Sequence, residues 1–145
     1  MTLTLHLGVD DFPYANSSGK TTGDVAGILE AKYHVMESFY EDLGETFFAK
    51  EIEESARNAV TSLINGTTAN ITLTGQAEDN IKKRFDLFLS QQELDYTQPG
   101  IPTLASLKGV NHSFAKPNAK GNPSRPSFVD TGTFRTSFRA WLDKS

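Results

Sequence analysis

The sequence has no cysteine. Disulfides, thiolate nucleophiles and cysteine-held metals are therefore excluded, and folding does not depend on an oxidising compartment. It also has no apolar run near the roughly 20 residues that a membrane-spanning helix needs. The start, Met1–Asp10, lacks the basic region and the long apolar stretch of a signal peptide, so synthesis and assembly in the cytoplasm are expected. Methionine is scarce, with 2 residues against 10 phenylalanines, which points to a core built on a few large rings. Acids are missing from one long stretch, since none lies between Asp95 and Asp130.

That gap divides the chain electrically. Residues 1–95 hold 16 acids and 7 bases, a net of −9, while residues 96–145 hold 2 acids and 7 bases, a net of +5. The whole chain carries only −4. Such a split bears on association and partner choice rather than on the fold. At 145 residues and 37% hydrophobic content, the chain fits a single domain, 1–145.

Apolar and polar residues alternate along Met1–Val9, with Leu3, Leu5, Leu7 and Val9 on one side, as in a half-buried strand. Asp10–Gly23 reads as a loop, and Thr22 or Asp24 can cap the next element. From Val25 the apolar residues keep helical spacing through Phe39, Phe48 and Val60 to Leu63 and Ile64, where Asn65-Gly66 is a fitting stop. About forty residues is long for one helix in a globular domain, so a kink near Gly44 is expected. Thr68–Leu73 suits a strand or an extended linker. Thr74 caps a second helix, with Ile81, Phe85, Phe88 and Leu89 on one face, ending near Gln92.

Asp95–Pro126 differs in kind, holding five of the six prolines. It predicts an extended loop or arm over 96–126, with one helical turn at Leu104–Lys108. The last segment fits helix and strand equally, and a turn of helix at Thr131–Thr136 followed by a strand satisfies both. That strand can pair with Met1–Val9. The expected class is α+β: a small antiparallel sheet including the N-terminal strand, packed against a long kinked N-terminal helix and a second helix, with a long loop before the C-terminal segment.

Residues able to carry chemistry do not form a pattern. His6, His34 and His112 have no metal-ligand spacing among them. Asp10-Asp11 lacks the spaced carboxylates of a calcium loop. Gly19-Lys20-Thr21 lacks the upstream glycine of a phosphate loop, and no serine sits in a nucleophile elbow. No catalytic residue, cofactor or metal is expected. The acids Glu37, Glu41, Asp42, Glu45, Glu51, Glu53 and Glu54 lie along the first helical region, where the plain reading is a solvated face. In an oligomer they can meet the basic loop of Lys108, Lys116, Lys120 and Arg125. Lys108, Lys116, Lys120, Arg125, Glu41, Glu45 and Glu53 are the interface candidates. A phosphate backbone is the other possible partner for that loop, although only Phe114 interleaves an aromatic ring with its bases.

Arg125-Pro126-Ser127-Phe128-Val129-Asp130-Thr131-Gly132-Thr133-Phe134-Arg135-Thr136-Ser137-Phe138 resembles a motif of tailed-phage tail-completion and neck (head–tail joining) proteins, of the HK97 gp10-like and virion-morphogenesis groups. The motif residues are Asp130, Thr131, Gly132, Phe134 and Phe138. Gly23–Met36 resembles the N-terminal helix of the same proteins more loosely. Physically the motif reads as a fold-closing corner: Pro126 keeps the entering chain extended, Gly132 permits close backbone approach, and Phe134 and Phe138 anchor the core. Asp-Thr-Gly also occurs in aspartic proteases, but the long helical pattern and the single copy argue against that class.

The resemblance implies a structural virion protein, not an enzyme, assembled in the host cytoplasm and located in the neck. It implies a homo-oligomeric ring of six or twelve copies joining the portal or its adaptor to the tail. Neighbouring partners are then the portal adaptor, tail terminator or tail tube, with DNA only passing through the lumen and no membrane. A tail terminator capping the tube is the alternative within that class. A nucleic-acid-binding accessory protein using the basic loop is the alternative outside it.

Overall fold

The computed structural model describes residues 2–14, 19–68, 71–108, 124, 126–128 and 133–144. Strand β1 (Leu3–Val9) opens the chain. Helices α1 (Thr22–Tyr33), α2 (Val35–Ile64) and α3 (Gly75–Ser90) come next, then the five-residue helices α4 (Leu104–Lys108) and α5 (Thr133–Ser137), and strand β2 (Phe138–Lys144). The fold is α+β, as the alternation and spacing predict. No helix among the described residues is long and apolar enough to cross a membrane.

β1 and β2 pair antiparallel, with Leu5 opposite Leu142, Leu7 opposite Ala140 and Val9 opposite Phe138. These residues share the core face, since side chains alternate along a strand. The other face carries His6 opposite Trp141 and Gly8 opposite Arg139. The His6 and Trp141 rings stack at 5.2 Å, and the indole also covers Gly8, where an added Cβ would lie 2.9 Å from it. Asp10 N donates to the Ser137 carbonyl (2.7 Å), so the strand pairing continues into α5.

The α1 cap is Thr21, one residue before Thr22 and three before Asp24, the two expected candidates. Its hydroxyl accepts from Asp24 N while the Asp24 carboxylate accepts from Thr21 N, a reciprocal capping box. Thr22 instead is buried, its hydroxyl accepting from Phe12 N and donating to the Asp10 carbonyl. Asp24 thus belongs to the cap as its third-position partner. Thr74 caps α3 as expected, accepting from Ala77 N.

The helical pattern from Val25 to Ile64 is interrupted twice. Gly44, at φ 75° and ψ 161°, bends α2 where the glycine predicts it. The second interruption, at His34, has no signal in the local sequence. His34 adopts the left-handed conformation (φ 50°, ψ 48°) and separates α1 from α2. The Glu30 carboxylate stabilises this break by accepting Met36 N (2.7 Å) and Glu37 N (3.0 Å), two free amides at the start of α2.

The core lies between the inner sheet face, α3 and the two arms of α2. Phe39, 0% exposed, is its centre, with rings of Phe48, Phe85, Phe88 and Phe138 between 5.1 and 5.8 Å away. Phe85 and Phe138 stack at 4.0 Å. Phe134 packs edge-on to Phe85, so two residues of the family-like motif anchor the core as expected. Asp130, Thr131 and Gly132 lie outside the described residues.

Candidate functional site

Glu41, Glu45 and Glu53 are all exposed on α2, together with Asp42 and Glu54. They do not form one uniform acidic face. Glu53 pairs with Arg57 one turn later (2.6 Å), and Glu37 with His34 (2.8 Å). Glu51 faces inward and is buried, corrected from the solvated reading of that run. Its carboxylate accepts from the Asn80 side-chain amide at 3.2 Å, and next to it the Ser55 hydroxyl accepts from Thr74 N (3.1 Å). These contacts tie α2 to the start of α3 through polar groups that would otherwise be unsatisfied.

Lys108 closes α4, while its side chain, and Lys116, Lys120, Arg125 and His112, lie outside the described residues. The approach to the motif is visible at 126–128. Ser127 is buried, its hydroxyl accepting from Thr103 N (3.1 Å) and meeting the Ser106 hydroxyl at 3.1 Å. Phe128, at φ 67°, sets its ring 5.3 Å from Tyr33 at the end of α1. Ser127 and Phe128 therefore tie this short segment to α4 and to the end of α1.

Two cations outside the basic loop have structural duties. Arg139 bridges Glu78 (2.9 Å) and Asp10 (3.3 Å), joining the sheet, α3 and the loop after β1. Both partners raise its already high pKa, Glu78 most. Arg135 Nε lies 2.9 Å from Asp86. No local sequence signal marks these pairs, because their members are far apart along the chain.

Glu30, His34 and Glu37 each offer a metal-ligand atom, and the three atoms lie within 4.8 Å of one another. Sequence spacing gives no hint of this group because only one member is a histidine. Its hydrogen bonds explain it fully: Glu30 caps α2 with both oxygens, and His34 Nδ1 meets Glu37.

A second acidic group gathers where α2 meets the segment after α3. Burial raises the Glu93 pKa first, and the hydrogen bond that its protonated carboxyl donates to the Asp42 carboxylate raises it further, together with the Asp42 charge and against the pull of Arg84. Burial alone raises Asp95, whose Oδ1 has no hydrogen-bond partner among the described residues. A raised carboxyl binds its proton more readily in the folded chain than in the unfolded one. The stability tied to Asp95 is therefore complete below its ordinary value of 3.8 and is lost as pH rises through the folded value. Asp95→Asn should accordingly be more stable than the native chain at neutral pH, with the difference vanishing in acid. Urea midpoints at both ends of that range test it; an equal difference at both would show that titration of Asp95 is not involved.

An open apolar groove of about 410 Å³ lies at the far end of α2, between Ala59, Val60, Leu63, Ile71, Leu142 and Lys144. Val60, Leu63 and Ile64 are all more than half exposed there. No known protein family, curated protein or solved structure matches the chain.

Proposed function

We propose that this chain is a structural subunit of a tailed-phage neck, forming a ring that joins the capsid portal or its adaptor to the tail. The motif-like stretch Arg125–Phe138 suggests the class. The observation that carries the reading is the separation of charge: a net −9 before residue 96 and +5 after it, with Glu41, Asp42, Glu45 and Glu54 exposed on α2. In copies packed side by side, the acid-free stretch of one meets the acidic helix of the next, and opposite charges select that contact. The role is passive. Subunits hold geometry and charge, and no bond is made or broken.

Reversing Lys108, Lys116 and Lys120 together to Glu should abolish joining of heads to tails while circular dichroism shows a folded chain. Joining at the native yield would end the proposal. Locating the protein on isolated heads or on isolated tails then separates a connector from a tail terminator. The nucleic-acid alternative has its own signature, a steep fall of DNA affinity with added salt.

A further inference from the structure

Asn65-Gly66 ends α2 and is the only Asn-Gly pair in the chain. Every other asparagine is followed by a residue that carries a Cβ, and Asn70 and Asn80 are followed by a branched isoleucine. The difference is chemical as well as conformational. The backbone nitrogen of the next residue can attack an asparagine side chain, and a side chain on that residue obstructs the approach. Glycine has none.

The structure leaves this pair accessible. Residues 63–68 are all exposed. Ile64 is 79% and Leu63 60% exposed, so little tertiary packing backs the last turn of α2. The Asn65 side-chain amide has no hydrogen-bond partner among the described residues, whereas that of Asn80 donates to Glu51. Gly66, at φ 76°, has open space where a Cβ would stand. Three backbone bonds close the turn: Asn65 N donates to the Thr61 carbonyl (3.0 Å), Gly66 N to Leu63 (3.0 Å) and Thr67 N to Ser62 (2.9 Å). An exposed helix end of this kind opens at little free-energy cost, and opening frees the Gly66 nitrogen.

We propose that Asn65 is a site of spontaneous deamidation, and that the modification unlocks the end of α2. With the turn open, the Gly66 amide nitrogen gives up its proton to hydroxide and attacks Asn65 Cγ. The new N–Cγ bond closes a succinimide ring, the Cγ–Nδ2 bond breaks, and the side-chain nitrogen leaves as ammonia. Water then opens the ring. Opening at Cγ leaves aspartate. Opening at the backbone carbonyl leaves isoaspartate, with the side-chain methylene now part of the main chain.

Both products set a carboxylate beside the free carbonyls of the last turn, where the helix end is already partly negative. Isoaspartate also lengthens the backbone between Thr61 and Gly66. The bonds from Gly66 N to Leu63 and from Thr67 N to Ser62 then lose their register. Leu63 and Ile64 leave the helix with them.

The full-length chain, aged in neutral and in mildly alkaline buffer, tests this by peptide mapping with mass spectrometry. Conversion at Asn65 should outpace that at any other asparagine about tenfold, because only glycine leaves the attack unhindered. It should be faster in alkali, which deprotonates the attacking nitrogen, and should yield isoaspartate as well as aspartate. Asn65→Gln should remain unconverted at that position. Gly66→Ala should slow conversion about tenfold by restoring a Cβ, even though alanine is strained at this φ. A synthetic peptide of residues 60–70 supplies the unhindered rate. Conversion of that peptide while the chain stays intact would overturn the site, as would conversion spread evenly over the asparagines. Hydrogen exchange of the isolated isoaspartate form tests the consequence. Gly66 and Thr67 amides should lose protection while those of Ile81 and Phe85 in α3 keep theirs. Unchanged protection at Gly66 and Thr67 would overturn the unlocking.

Discussion

Phe39→Ala should cost about 3–5 kcal/mol of stability, the range seen when a large buried ring is truncated. Phe39 is fully enclosed and touches four other rings, two of them from α3, one from β2 and one from the far arm of α2. No single side chain could move to fill the space, because its neighbours come from three separate elements. Against a total of about 5–15 kcal/mol for a typical domain, such a loss is a large share. Tm should fall by roughly 10–20 °C for a chain of this size. A fall of only a few degrees would mean that the ring cluster repacks, and that Phe39 is not its centre.

Gly44→Ala should destabilise the chain by about 1–3 kcal/mol, although it adds only one methyl group and that group meets nothing within 4 Å. The cost is in the backbone. At φ 75° and ψ 161°, Gly44 occupies a region essentially closed to residues with a Cβ. The alternative for alanine is to straighten α2, which gains helix propensity of about 1 kcal/mol. A straight helix, however, separates Phe39 from Phe48, whose rings now meet edge-on at 5.8 Å across the bend. Gly27 provides the control. It lies inside α1 with open space around it, so Gly27→Ala should stabilise by about 0.5–1 kcal/mol. Opposite shifts of the two urea midpoints are expected. A Gly44→Ala midpoint at or above the native one would show that the bend is not required.

Positions 39 and 44 also mark how far local pattern reaches. The bend at Gly44 is legible because the chain offers a glycine inside an overlong helical pattern. The break at His34 is not, because it depends on Glu30 turning back to the first amides of α2. Glu51 carries no sign of burial in its local sequence. Its neighbours Glu53 and Glu54 are exposed, and only the position of Asn80 across the helix pair gives its carboxylate a partner. The apolar stripe at Val60, Leu63 and Ile64 is legible as helical but reads as core. Whether a stripe is covered depends on how far α3 and the sheet extend along α2, which spacing does not encode.

The sequence by itself determined the α+β class, the strand at Leu3–Val9, the cap at Thr74, the bend in the long helix and the helix-to-strand change at the end of the chain. It also determined the charge split. Each arises from interactions between residues a few positions apart, or from simple counting. Only the tertiary structure decided which acids remain in water, that Arg139 holds the sheet to α3, and that the apolar stripe at the end of α2 is exposed. Those features join segments up to 129 positions apart, as in the Arg139–Asp10 pair, and such distances are set by packing rather than by local pattern.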